Sequence, residues 1–507
     1  MELILEKPSF AEISADVLVI GIFQDEQPLE LLKQTDSSLA QDFLEEIEQL
    51  CKAENFKGKS KETLSVFTSK KIAARRLLML GLGKRSEYDG AAVRRTAAAL
   101  AKQFAPKPSY PNPALFLRFD GKAELIQACV EGWVLGSYSF NVYKTQKDNG
   151  NEPGDKTRRL TFLDGTLDEA SFENACATGR AIAEATGFAR DMINEPACNM
   201  TPTKLSQIAD SLSCDLVTCE ILEAEQVAKL GMGAYLGVAR GSDEAPKFIA
   251  LKYSHPQAKR FFALIGKGIT FDSGGLSLKT ASGMETMKYD MAGAAVVLGV
   301  MRAILDMQAP ISLLCVVAAC ENMPSGSATK PGDILVAMNG KTIEVNNTDA
   351  EGRLTLADAL CYATQQKPEA VIDIATLTGA VVSALGKVAA GIMGNDDALI
   401  EEIKSAGKKA GEKYWTLPLF DEYKESLKSD FADLKNAGSR GEAGSSCAGM
   451  FLKEFVDGTP WAHLDVAGVA WTDKDKEELS KGGTAFGVRT LSYFLLDAIK
   501  RDSSSPV

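Results

Sequence analysis

A chain of 507 residues is long enough for about two to four domains, each with its own core. Its 45% hydrophobic and 24% charged content fits a globular protein and excludes a disordered or membrane-embedded one, while a formal net charge of -12 argues against nucleic acid or anionic membrane as the main partner. With His255 and His463 as the only histidines, a metal centre of several imidazoles is excluded, so carboxylates, lysines and arginines are the candidates for catalysis.

Residues 1 to about 165 alternate strand-like and helix-like patterns, with strands predicted at 3–5, 16–23, 76–82, 114–118 and 160–163. Helical patterns fall near 28–51, 91–104 and 123–138. The polar stretch 146–159 reads as an exposed loop near the end of an N-terminal domain spanning 1–168. A connecting helix follows within 169–194, ended by Pro196, and Thr201-Pro202 reads as the cap and first turn of the next helix. A larger unit, 195–507, has predicted strands at 247–253, 261–265, 311–319, 334–338 and 370–375, a helix at 291–307 that opens on small residues, and a frayed tail at 503–506. The expected fold class is α/β: a smaller N-terminal α/β domain plus a larger C-terminal α/β domain with a mixed central sheet. No run of 18 apolar residues occurs and the ten cysteines form no C-x-x-C pair, so a cytoplasmic protein with reduced, buried thiols is expected.

Charge is concentrated where an apolar background would not require it. In Asn347-Thr348-Asp349-Ala350-Glu351-Gly352-Arg353-Leu354, the two carboxylates are two residues apart, so an extended backbone would point both to one side. A helix predicted from about Arg353 places acceptors for cations beside donors for an anion. The run G-K-G-I-T-F-D-S-G-G (266–275) follows the predicted strand 261–265, at the carboxyl end where α/β sheets bind ligands, which makes Lys267 and Asp272 candidates. Lys279 comes after the glycine pair, and Asp290 stands at the start of the small-residue helix, where a helix cap is the alternative reading.

If Asp272, Asp290, Asp349 and Glu351 converge, their repulsion requires protons or cations, and two divalent ions would balance the four charges. Oxygen donors in this number suit zinc, manganese, magnesium or cobalt, and two such ions about 3.5–4 Å apart can activate a water. Lys267 could join as a ligand only if neutral; moving its pKa from about 10.4 to 7 costs roughly 4.6 kcal/mol, which a neighbouring dication could offset. Lys279 and Arg353 would then face negative charge developing in a transition state.

These runs, with M-K-Y-D-M-A-G-A-A (287–295), E-N-M-P-S-G-S-A (321–328) and N-T-D-A-E-G-R-L (347–354), resemble the leucyl (cytosol) aminopeptidases, a family of two-metal exopeptidases. The similarity extends through S-D-F-A-D-L-K-N (429–436), W-A-H-L-D (461–465) and G-V-R (487–489), and covers about 190–495. It implies that Asp272 and Glu351 bridge two metals, zinc or manganese, that Asp349 completes one site, and that Lys267 with Asp290 completes the other. It implies that Lys279 polarises the substrate carbonyl and that Arg353 holds a bicarbonate acting as general base. The substrate would be a peptide with a free N-terminus, its first side chain in an apolar pocket to which Met287, Thr376, Gly379 and Ala467 contribute. Ala470, where some relatives carry a larger residue, would widen that pocket. A homohexamer is also implied. The alternatives are a two-metal phosphoesterase, which would ordinarily add histidines, and a DNA-binding role, against which the acidic balance argues.

Overall fold

The computed structural model describes residues 1–104, 111–145 and 158–504. The predicted loop 146–159 lies outside the described residues except for its last two positions. The predicted frayed tail starts inside a helix that runs through Ser504 and ends outside them. The chain forms two compact units, Met1–Ala183 with Lys476–Ser480, and Glu184–Asp475 with Lys481–Val507.

The first unit is built on a six-stranded sheet of β1 (Glu2–Glu6), β2 (Val17–Phe23), β3 (Thr63–Phe67), β4 (Arg76–Gly83), β5 (Pro113–Phe116) and β6 (Arg159–Leu163), in the order β1-β6-β5-β2-β4-β3. β2 is V-L-V-I-G-I-F and buried at every residue, as a parallel strand covered on both faces must be. β3, missed by the sequence reading, alternates exposed and buried residues and pairs antiparallel at the sheet edge. The predicted helix at 28–51 is two helices, Pro28–Thr35 and Gln41–Ala53. Helices α1 (Gly90–Phe104) and α2 (Ala123–Gly136) pack with α3 (Glu169–Asn194) on the core formed by Val17, Val19, Leu115 and Phe162.

In the second unit the strands are β7 (Val217–Leu222), β8 (Lys247–Ser254), β9 (Phe261–Asp272), β10 (Ser312–Asn322), β11 (Ile334–Val336), β12 (Thr342–Glu344), β13 (Ala370–Ala375), β14 (Ala390–Gly394), β15 (Tyr414–Thr416), β16 (Leu434–Lys435), β17 (Trp461–Asp465), and a short antiparallel pair, β18 (Trp471–Thr472) and β19 (Gly482–Gly483). Eight of them make a mixed sheet in the order β15-β14-β17-β13-β9-β10-β8-β7. Its middle, β17-β13-β9-β10, is parallel, so the carboxyl ends of four neighbouring strands open on one edge. One face carries α4 (Ala292–Asp306) and α7 (Val488–Ser504), the other α5 (Gly352–Gln365) and α6 (Gly444–Lys453). β11, β12 and β16 form a separate three-stranded sheet.

α5 is anchored through a buried carboxylate rather than by apolar packing alone. Asp358 accepts the backbone N–H of Tyr235 at 2.8 Å and that of Met338 at 2.8 Å. Asp358→Ala would strand two donors, at about 1–3 kcal/mol each, so the unfolding free energy from urea titration should fall by about 2–6 kcal/mol and the midpoint with it. An unchanged midpoint would exclude that anchoring role.

Candidate metal centre

The predicted strand stops at 265, before the glycines of G-K-G-I-T-F-D-S-G-G, yet β9 continues through Asp272. It keeps pairing with β10 past a register shift between Cys320 and Glu321, until Asn322 lies opposite Asp272. Gly266 serves packing rather than turning: a Cβ there would stand 2.4 Å from the carbonyl oxygen of Gly293 at the start of α4. The turn itself comes at Gly274 and Gly275, whose φ angles are +87° and +62°. Lys267 and Asp272 are therefore held on the rigid centre of the sheet.

Asp272, Asp290 and Glu351 bring ligand oxygens within 4.8 Å of one another. Lys267, only 3% exposed, sits among them with Nζ 2.7 Å from Asp290 Oδ2 and 2.8 Å from Glu351 Oε1, and it donates to the Thr376 carbonyl at 3.1 Å. Asp290 does not cap α4; its Oδ1 accepts from Thr376 Oγ1 at 2.8 Å. Asp272 Oδ2 lies 2.8 Å from Lys279 Nζ, while its Oδ1 accepts from Gly274 N and Asn322 Nδ2, both at 2.8 Å.

Asp349 lies at the edge of the cluster, sharing the Lys279 ammonium with Asp272. It pairs with Lys279 and is half-buried, outside the three-carboxylate group. The expectation assumed extended backbone, but residues 347–351 form a turn and Glu351 has helical angles, φ -75° and ψ -36°. The two side chains then take different partners within the cluster, Asp349 pairing with Lys279 and Glu351 with Lys267. Arg353 is the second residue of α5, after Gly352; its Nη1 donates to the Asn436 carbonyl at 2.8 Å.

The charges respond to one another. Burial and the Glu351 charge raise the Asp272 carboxyl to about 6 against the pull of Lys267 and Lys279. Burial likewise lifts Asp290 to about 8 against Lys267. Burial also acts on Glu351, but Lys267 and Lys279 outweigh it and hold that carboxyl below its ordinary value. Burial opposes charge on Lys267, yet Asp290 and Glu351 push it above the lysine range. Such a cluster fits divalent cations: its donors are carboxylate oxygens, and Glu351 Oε2 is buried without a hydrogen-bond partner among the described residues.

Of the expected pocket residues, Thr376 touches the cluster directly. Met287 opens the short 3-10 turn Met287–Tyr289 that leads into Asp290, and Gly379 begins the helix Gly379–Leu385. The 377–379 segment and Ala467 are tied together by Asp465, which accepts from Leu377 N at 3.2 Å, Thr378 Oγ1 at 2.6 Å and Ala467 N at 3.3 Å. Ala470 is buried in the core on the α4 face. Asp465, Asn322 and Asn436 organise the site but were missed, because a polar residue at a strand end leaves no periodic signal.

His463 belongs to the sheet. It faces Asp373 across β17 and β13, with Nδ1 2.6 Å from Oδ1, and Trp461 Nε1 donates to the other oxygen at 2.7 Å. Burial disfavours its charge, but Asp373 outweighs burial and raises its pKa above 6.5. A raised histidine pKa contributes stability that is fully present below the unfolded value and fades as pH rises through the folded one. His463→Ala should therefore lose about 3–5 kcal/mol near pH 6 and less near pH 9, with kcat of the folded fraction unchanged. Denaturant curves at the two pH values and active-site-normalised kcat check this; a pH-independent loss would contradict it.

Residues 187–492 match the profile of the cytosol aminopeptidase family, catalytic domain, and 19–147 that of the same family's N-terminal domain. A probable cytosol aminopeptidase of Alkaliphilus oremlandii is 42% identical over 510 residues, spanning 99% of this chain and 100% of that protein. One from Solibacter usitatus is 43% identical over 502 residues, 98% and 99% of the two chains. Among solved structures, the manganese complex of the bottromycin maturation enzyme BotP aligns with TM-score 0.82 at 31% identity over 96% of this chain and all of that one. A tomato leucine aminopeptidase mutant aligns with TM-score 0.85 at 35% identity, covering 98% and 96%.

Proposed function

The chain belongs to the cytosol aminopeptidase family and is a metal-dependent enzyme that removes N-terminal residues from peptides; from that premise we propose that its acidic cluster holds two divalent cations and that Arg353 holds a bicarbonate general base. The carrying observation is the buried trio Asp272, Asp290 and Glu351, interleaved with two lysines at the carboxyl edge of a parallel sheet. Asp272 and Glu351 would be ligands shared by both cations, Asp349 would serve one, and Lys267 with Asp290 the other. Zinc or manganese bound there would supply Lewis acidity for the attacking water and the scissile carbonyl.

The protein's own groups supply the rest. Lys267, placed between Asp290 and Glu351, must shed its proton to act as a ligand, and a dication favours that release. Lys279, reaching from the loop after β9, stabilises negative charge developing on the carbonyl oxygen. Arg353, near the N-terminus of α5, offers a guanidinium and a helix end to one small anion. The first side chain of the peptide enters the region of Met287, Thr376, Gly379 and Ala467, with leucine and other apolar residues preferred. Assembly as a homohexamer and a cytoplasmic location complete the proposal.

The test is a purified enzyme stripped with chelator and reloaded with zinc, manganese or cobalt. It is assayed on aminoacyl p-nitroanilides carrying different first residues, alongside elemental analysis. Activity restored by the metals with an apolar preference is expected; turnover of p-nitrophenyl phosphate alone would sink the reading. Arg353→Ala should slow the reaction by about 10², and added bicarbonate, which should stimulate the parent enzyme, should then do nothing. Undiminished bicarbonate stimulation in that variant would remove Arg353 from the role.

A further inference from the structure

We propose that Asn436, a buried amide whose hydrogen bonds all go to the protein itself, is the positioning residue for the catalytic turn, fixing both the 347–351 segment and the guanidinium of Arg353. The inference rests on the two-cation reading above and extends it from the ligands to what aims them.

β16 pairs parallel with β12, Ile343 opposite Leu434 and Glu344 opposite Lys435. A two-residue strand has little stability of its own, and this one is clamped at both ends. At one end Asp433 Oδ2 accepts from Thr342 N at 2.8 Å and Thr342 Oγ1 at 2.9 Å, and Asp433 N donates back to that hydroxyl at 3.0 Å. At the other end Asn346 Oδ1 accepts from Ala437 N, and Asn346 Nδ2 donates to Ala437 O, each at 3.1 Å. Asn436 lies between the clamps with 0% exposure.

Its amide is fully used. Oδ1 accepts from Asn346 N at 3.0 Å and Asn347 N at 3.3 Å, while Nδ2 donates to Asn347 O at 2.7 Å and Ala350 O at 3.3 Å. The backbone joins in: Asn436 N donates to Glu344 O at 3.0 Å, and Asn436 O takes Arg353 Nη1 at 2.8 Å. Two acceptor and two donor sites satisfied at once is a pattern that only a side-chain amide can meet. Aspartate would keep the acceptors but turn a negative charge toward the carbonyls of Asn347 and Ala350.

Those two carbonyls flank Thr348 and Asp349, and that of Ala350 stands immediately before Glu351. The opposite side of the turn is held by Thr348, whose Oγ1 accepts from Ser277 N at 2.7 Å and donates to Gly274 O at 2.7 Å. The turn is thus fixed between the loop that follows Asp272 and the amide of Asn436. Fixing it matters because Glu351 is held with Asp272 and Asp290, its ligand oxygen within 4.8 Å of theirs, and a free turn could swing out to relieve repulsion between like charges. Residues that orient metal ligands typically control about 10- to 100-fold in affinity or activity.

The test uses Asn436→Ala and Asn436→Asp in the full chain, with Asn395→Ala as control. Asn395 also bridges backbone groups, Trp461 N at 2.7 Å and Thr459 O at 2.9 Å, away from the cluster. Calorimetric titration with manganese, kcat and KM on leucine p-nitroanilide, and thermal melting are measured for each. Both Asn436 variants should bind manganese about 10- to 100-fold more weakly and lose a similar factor in kcat, with aspartate no better than alanine. KM should stay within about threefold and the control should lose melting temperature alone. Unchanged manganese affinity and kcat in folded Asn436→Ala would overturn the proposal, as would an equal loss in the control. If the alanine protein does not fold, the near-isosteric aspartate decides by the same criteria. A parent enzyme that binds manganese but cleaves no aminoacyl substrate would count against the aminopeptidase chemistry, and the variants' manganese affinities would still decide the role of Asn436.

Discussion

Glu351→Ala is expected to abolish peptidase activity at ordinary metal concentrations, by about 10³-fold or more. Lewis-acid stabilisation is worth several kcal/mol, and each 1.36 kcal/mol is tenfold in rate. The residue matters because its Oε1 pairs with Lys267 while Oε2 is buried without a partner among the described residues. The same charge raises the Asp272 carboxyl and adds to the rise of Asp290, so removing it relieves that repulsion but also takes a buried partner from Lys267. Metal-free Glu351→Ala should therefore melt below the parent, and the rise in melting temperature that manganese gives the parent should vanish. Near-native turnover, or a full manganese-dependent rise, would refute the shared-ligand role.

That asymmetry explains which parts of the site were legible in the sequence. Lys267, Asp272, Asp290 and Glu351 stand out because charge in glycine-rich and small-residue surroundings is costly and needs a reason. Their assembly follows once β9, β13 and α5 are recognised as neighbours. The backbone carrying them was harder to read. The predicted strand stops at 265, before the glycines, but at 266 the glycine admits the backbone of α4, and β9 simply continues. Asp349 and Glu351 look like alternating strand positions, but the chain is already turning into a helix. β17, one of the four parallel strands, was not predicted because W-A-H-L-D is short and its polar positions, His463 and Asp465, are satisfied mainly by residues distant in the chain. Asn436 was invisible for the same reason: its partners lie nearly ninety positions away, and only the folded pairing of β12 with β16 brings them together.

Gly352→Ala separates local propensity from site geometry more sharply than any change of a charged residue. Alanine is the better helix former, worth up to about 1 kcal/mol, and position 352 is the first residue of α5, so propensity alone predicts a protein at least as stable. A Cβ there, however, would stand 2.4 Å from Lys267 Cε and 2.7 Å from its Nζ. Lysine side chains usually yield cheaply, but this one is enclosed and held by Asp290, Glu351 and the Thr376 carbonyl. Relieving the clash means drawing Nζ away from those oxygens, and a displacement of about 1 Å in a catalytic arrangement costs about 10² in rate. The expected result is a melting temperature only slightly below that of the parent, the helix propensity offsetting part of the weakened Lys267 pairing, together with a loss of about 10² in kcat/KM on leucine p-nitroanilide. Parent-like turnover would mean that the position of Lys267 against α5 is immaterial to catalysis. A large loss of stability along with activity would mean that the clash is relieved by moving the helix rather than the lysine.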